Sequence, residues 1–236
     1  MSVRALSSFR ILGAAAASLL LVSCGESGPK PPQPGSAAFN WNAAKAAYAA
    51  GDYAKAQDLF LRLTKSDEYK AQARPAAITL SAALASAYGE LAEKFEEGAK
   101  KTRGNQLPFR RHAGAYKAKA VTAGKQYLEI SRGFAEANKA QEVPMVLEIP
   151  KGASLEHPGQ YQKLSTGAII PDAEVATVEG QVIQHDLSED LSAMLGAPKD
   201  LDKARAAYQN GEAKIPGPAY MMSQARALNQ IADMFG

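Results

Sequence analysis

From residue 39 onward, apolar side chains recur every three or four positions, the spacing that gathers them on one face of an α-helix. Trp41, Ala44 and Tyr48 share one such face, and Tyr53, Ala56, Leu59, Phe60 and Leu63 share a second. Between them Gly51 ends one helix, because glycine takes the left-handed turn without steric cost, and Asp52 caps the next. The two runs predict a helical hairpin. A third helix is predicted to open at Pro75, a residue tolerated in a first turn, with Leu80, Leu84, Tyr88, Leu91 and Phe95 as its face. A fourth opens at Pro108 and carries Phe109, Ala113, Tyr116, Ala120, Ala123, Tyr127, Ile130 and Phe134 in unbroken steps of four and three. A seam that long needs a partner helix, and the third is the nearest.

The pattern breaks at residues 141–171. Pro144, Pro150, Pro158, Gly152, Gly159 and Gly167 divide this stretch, leaving room for a short extended run at 143–149 and one helical turn at 161–164. Connections in compact domains have a median of ~4–6 residues, so the stretch is either a packed functional loop or a divider between subdomains. Residues 172–184 then support two readings. Pro171, Asp172 and Glu174, followed by Val175, Val178 and Val182, suit a helix N-terminus. Glu179 and Gly180 between two valine-containing runs also suit a β-hairpin. The acids at the start favour the helix. Helices over 200–209 and 218–235 complete the chain, the last with Met221, Ala225, Leu228, Ala232 and Phe235 as its seam. The expected fold class is all-α, built of antiparallel helical hairpins with an irregular proline-rich segment at 141–171.

Ahead of the helices the chain reads differently. Residues 1–10 hold Arg4 and Arg10 and no acid, residues 11–22 are apolar or small, and the run stops at Ser23 and Cys24. An apolar core of about 12 residues is too short for the ~20 that cross a bilayer, and with its basic flank it marks 1–23 as a signal peptide. Residues 26–38, ESGPKPPQPGSAA, lack the large apolar side chains a core requires. Pro29, Pro31, Pro32 and Pro34 stiffen this tether toward polyproline II, and at ~3.1 Å per residue it holds a domain on the order of 40 Å from its anchor.

Leu21-Val22-Ser23-Cys24 resembles the lipobox of bacterial lipoproteins. The resemblance implies that the Cys24 thiol is diacylglycerated, that Cys24 becomes the first residue of the mature chain, and that its lipid anchors the protein in the cell envelope. Two or three acyl chains hold a protein essentially permanently, whereas one does not. Gly25, rather than aspartate, after the cysteine implies the outer membrane, facing the periplasm. Residues 39–63 resemble a tetratricopeptide (TPR) repeat through the Gly51-Asp52-Tyr53 turn, Lys55-Ala56, and Phe60 and Leu63 at its packing positions. Ala44 replaces the usual leucine, the closing proline is absent from 64–68, and no second copy of the turn follows. Such a repeat implies an α-solenoid-like arrangement with a groove for a peptide or partner helix. Asn40, Lys45 and Tyr48, on its first helix, are candidate partner-binding residues. Lipobox, tether and hairpin together are similar to lipoproteins of outer-membrane assembly machinery, which implies an envelope protein as partner. The organisation expected is a signal peptide at 1–23, lipidated Cys24 and tether at 24–38, a TPR-like region at 39–140, the irregular segment at 141–171 and a helical region at 172–236.

Removing residues 1–23 takes Arg4 and Arg10 from the 27 Lys and Arg and nothing from the 24 Asp and Glu, leaving 25 against 24. A chain so near neutrality carries no net electrostatic footprint for nucleic acid, and no such partner is expected. Its charge is nonetheless unevenly placed. Residues 98–128 hold eight Lys or Arg, His112 and no acid, whereas 172–202 hold eight acids and only Lys199 as a base. Either the basic stretch steers an acidic partner, with Arg103, Arg110 and Arg111 as further candidate partner-binding residues, or the two stretches face each other. With the single cysteine taken by lipid, no disulfide, thiolate metal site or cysteine nucleophile is left. His112, His157 and His185 are scattered without ligand spacing, His185 is expected on a helix surface, and no P-loop, nucleophile elbow or dinucleotide fingerprint is present. No catalytic, cofactor-binding or metal residue is assigned. The function expected is a non-enzymatic, membrane-anchored scaffold or adaptor. The alternative is an envelope enzyme, or a binding protein for a small ligand or glycan, with its site near the 141–171 loop.

Overall fold

Ser36 sets where the first helix starts. In the computed structural model, which describes residues 32–134 and 141–235, its hydroxyl accepts a hydrogen bond from the Phe39 N–H at 3.1 Å. Helix α1 therefore runs Ala37–Ala49 and opens two residues earlier than expected. Gly51 follows at φ +81°, and the Asp52 carboxylate caps α2 (Tyr53–Leu63) by accepting from the Lys55 N–H. Ala44 and Ala56 are fully buried. Aromatic contacts bridge the hairpin: Trp41 meets Phe60 edge-on at 5.8 Å and Tyr48 meets Tyr53 at 5.5 Å. Residues 1–31, which hold the signal peptide, Cys24 and most of the tether, lie outside the described residues.

Helix α3 (Lys70–Lys101) touches most of the other elements. Its run from 76 to 85 is buried on every side, as an alanine-rich helix must be when neighbours pack all around it. It starts at Lys70 rather than at Pro75. The proline sits inside the helix, where its missing N–H deprives the Ala71 carbonyl of its usual donor. Helix α4 (Leu107–Ser131) makes its main contact with α3 and buries Phe109, Ala113, Tyr116, Ala120, Ala123 and Tyr127, the face expected of it.

The 141–171 segment is packed rather than a divider. It opens with β1 (Glu142–Met145) and later forms α5 (Gly159–Leu164), burying Val143, Met145, Leu147, Ile149, Tyr161 and Leu164. Strand β1 pairs antiparallel with β2 (Ala213–Pro216), Val143 opposite Ile215. An extended run at 143–149 was expected, and β1 overlaps it; β2 and the pairing were not, because four residues are too few for an alternation to stand out. Residues 172–184 are helical, within α6 (Asp172–Met194). Asp200 caps the short α7 (Leu201–Ala206), its carboxylate accepting from the Lys203 N–H.

Helix α8 (Gly217–Phe235) corrects the expected seam. Its buried side chains include Ser223 and a row of Tyr220, Gln224, Ala227 and Ile231, the row lying one residue before the expected one, while Leu228 is 45% exposed. The inward turn follows Tyr220, which is fully buried with its hydroxyl donating to the Pro75 carbonyl. Tyr127 fixes the same face by donating to the Gln224 carbonyl at 2.6 Å. The described residues are thus an all-α fold with one small ribbon, and no helix among them is long and apolar enough to cross a membrane.

Candidate functional site

The extended backbone after β1 has no ladder partner, so its carbonyls need donors from elsewhere. Side chains supply them. The Tyr208 hydroxyl donates to the Leu147 carbonyl, the Tyr48 hydroxyl to that of Glu148, and Arg205 to that of Pro150. These bonds hold residues 146–151 across from the α1–α2 hairpin and leave between them a cavity of about 650 Å³. The third wall is the turn before β2, where Asn210 at φ +54° and Gly211 at φ +78° reverse the chain between Gln209 and Glu212. Two positive φ angles in a two-residue turn are the hairpin geometry that asparagine followed by glycine favours.

Aromatic and charged groups share the lining. Trp41, the one tryptophan of the chain, stacks on Tyr69 at 5.0 Å and carries the Lys45 ammonium 5.4 Å from its ring centre. Tyr48, Tyr53 and Phe60 continue the apolar surface. Burial raises the Tyr48 phenol well above its ordinary range, with Tyr208, Tyr53 and Glu148 adding to the effect, so it remains a donor to Glu148. Burial likewise raises Tyr53, with Gln184 beside it pulling the other way. The Gln72 amide donates to the Glu212 carboxylate at 3.1 Å. A cavity of this size, with aromatic walls and a few placed polar groups, has the proportions of a ligand site.

No family model, curated protein or solved structure matches this chain.

The cavity brings together two of the expected site residues, Lys45 and Tyr48. Asn40 is half-buried on α1 and does not line it. Arg103 is exposed in the turn between α3 and α4, and Arg111 is exposed on α4. Arg110 borders a shallower hollow of about 430 Å³ between α3 and α4 and donates to the Gln106 side chain at 2.8 Å. The oppositely charged stretches do meet in part. His112 lies 3.1 Å from Asp172, Lys119 lies 2.9 Å from Glu179, and the Tyr116 hydroxyl donates to Glu179.

A second cluster escaped the sequence reading. His185 is not on a surface; it is 8% exposed, with Nδ1 3.1 Å from the Asp186 carboxylate and Nε2 3.2 Å from the Leu155 carbonyl. A carbonyl only accepts, so Nε2 carries a hydrogen, and a second proton must bridge Nδ1 and Asp186. The Asp186 bond raises the His185 pKa, and burial raises that of Asp186. The His185 ring stacks on His157 at 3.9 Å, His157 stacks on Tyr161 at 4.5 Å, and the Tyr161 hydroxyl donates to Glu90 at 3.2 Å. Burial, then the Asp186 charge, pushes Glu90 up to about 7. Burial, then Asp186 and Glu189, pushes Asp190 up to about 7. His157 is lowered by burial and by His185. This network ties residues 155–161 to α3 and α6. Among the described residues, no group of three or more His, Cys, Asp or Glu is placed to hold a metal.

Proposed function

We propose that this chain is a lipid-anchored lipoprotein of the bacterial envelope that acts as a binding adaptor, displaying its helical domain on a proline-rich tether and engaging an envelope protein through the cavity beside the hairpin. The anchor rests on Leu21-Val22-Ser23-Cys24 and the tether that follows. The observation that carries the binding role is the cavity itself, where Lys45 and Tyr48 of the first helix face 146–151 across an aromatic floor. Adaptors of this kind need a concave, preformed surface that receives an anchor from the partner. The outer membrane, facing the periplasm, is the location assigned with it.

The test is cross-linking in intact envelopes. A photoactivatable residue at Lys45, in the full-length chain at native expression, is expected to give a discrete adduct with another envelope protein. The same residue at the exposed Lys125 on α4, which lines neither hollow, is the control. Absence of any adduct specific to position 45 would refute the adaptor reading.

A further inference from the structure

The cavity's charges carry a further inference, which rests on the cavity being a binding site: the site proposed above for a protein partner also takes a small ligand. Four charged side chains line it: Glu148, Glu212, Lys45 and Lys151. None of the four takes part in an ion pair among the described residues. The two carboxylates belong to facing walls that approach closely, since a Cβ at Gly211, next to Glu212, would lie 3.5 Å from Glu148 Oε1. Lys45 stands on α1, one helical turn from Tyr48, its ammonium over the Trp41 ring.

A ligand that fills this cavity takes water away from charges of both signs. Lys45, Glu148 and Lys151 are exposed before binding, so a neutral ligand would strip part of the water from both signs without compensation, and a ligand with one charge would do so for the other sign. An amphoteric ligand meets both. The Gln184 and Asn210 amides, able to donate and accept at once, suit peptide groups between its ends. We infer that the cavity binds a short peptide with free termini, its ammonium directed at Glu148 and Glu212 and its carboxylate at Lys45, on the wall across from Glu148.

Trp41 reports on the cavity without a label, because the chain has no other tryptophan. The full-length chain would be titrated with trialanine, with the same peptide acetylated and amidated at its ends, and with the neutral disaccharide diacetylchitobiose. Calorimetry of the same titrations covers binding that leaves Trp41 undisturbed. Trialanine is expected to saturate the signal, and capping either end to weaken it about tenfold or more, the loss of one charge-assisted contact. Glu148→Gln should weaken trialanine by a similar factor and leave the N-acetylated peptide unaffected. Equal binding of the capped peptide, binding of the disaccharide in place of trialanine, or silence toward all three would overturn the assignment. A specific adduct from position 45 alongside any of these results would leave the adaptor standing and remove only the peptide class.

Discussion

Neutralising one carboxylate of the buried cluster should stabilise this protein, increasingly as pH rises from about 4 to about 7. Glu90 and Asp190 titrate from ordinary values of 4.5 and 3.8 when exposed, and from about 7 in the fold. A carboxyl whose folded pKa is raised binds its proton more tightly when folded. Its contribution is therefore present below about pH 4 and lost as pH climbs to about 7. At ~1.4 kcal/mol per pH unit, the full displacement corresponds to about 3 kcal/mol for Glu90 and about 4 for Asp190. Both side chains keep some contact with water, which screens their charge, and both respond to the same Asp186. About 2 kcal/mol each is the figure to expect after that discount, and the two will not add fully.

The rest of the cluster fixes the sign of the total. His185, raised by Asp186, loses stability in the same direction as pH rises, whereas His157, lowered by burial, opposes it on the acid side. Glu93 adds to the rise at Glu90 and Arg226 opposes that at Asp190. Chemical denaturation followed by far-ultraviolet circular dichroism at pH 5, 6 and 8 reads the balance. The unmodified chain is expected to lose about 1 kcal/mol between pH 6 and 8, nearly all of it below pH 7. Glu90→Gln keeps an acceptor for the Tyr161 hydroxyl, so it should be near neutral at pH 5 and stabilise by about 2 kcal/mol at pH 8. Equal stability of the parent at pH 6 and 8, or an equal loss in the variant at every pH, would show that Glu90 does not carry a desolvated charge.

Two further outcomes follow from packing and from the anchor. An alanine at Gly98 would drive its Cβ into the Leu164 carbonyl and to 2.9 Å from the Phe109 ring; a loss of about 1–3 kcal/mol in the same denaturation assay is expected, against a gain of about 0.5–1 kcal/mol for Gly114→Ala, where nothing lies within 4 Å. Equal effects at the two helical glycines would contradict the close approach of α5 to α3. Cys24→Ser is expected to abolish fatty-acid labelling and release the protein from membranes, and labelling that persists would refute the lipobox reading.

What could be read in advance divides along local and non-local lines. The all-α class was legible because long seams such as Phe109 to Tyr127 repeat the helical period many times over, and because Gly51 and Asp52 punctuate the hairpin with residue-specific chemistry. The seam of α8 was misplaced by one residue, since Met221 and Leu228 weigh as much in a periodicity as Tyr220 and Ala227. Only the tertiary anchors at Pro75 and Tyr127 separate the two faces. Half of the cavity was legible on the same grounds: Lys45 and Tyr48 sit on the first helix of a recognisable hairpin. Of the other half only the extended run at 143–149 was legible; its place opposite the hairpin and the turn at Asn210 and Gly211 were not, because β1 and β2 come from distant parts of the chain. The histidine cluster left no local trace, as His157 and His185 meet only through the packing of 155–161 on α6.

The segment after β1 joins the two sites. Its first part, 146–151, walls the cavity, and its next, 155–161, enters the ionisable cluster. Farther on, Leu164 lies against Gly98, and Gly167, at φ +84°, lies against the Thr102 backbone, where a Cβ would come within 2.6 Å. The pins differ in chemistry. At the cavity end they are phenols that burial holds well above their ordinary range, joined by the Arg205 guanidinium. At the cluster end they are imidazoles and carboxyls that titrate near neutral pH. A change of pH between 5 and 8 therefore acts on the far end of the segment, while the phenols shaping the cavity wall keep their protons throughout. The bonds that shape the cavity wall and the groups that titrate thus lie at different places along one stretch of backbone, so the pH dependence of stability and the cavity's outline are set by different side chains.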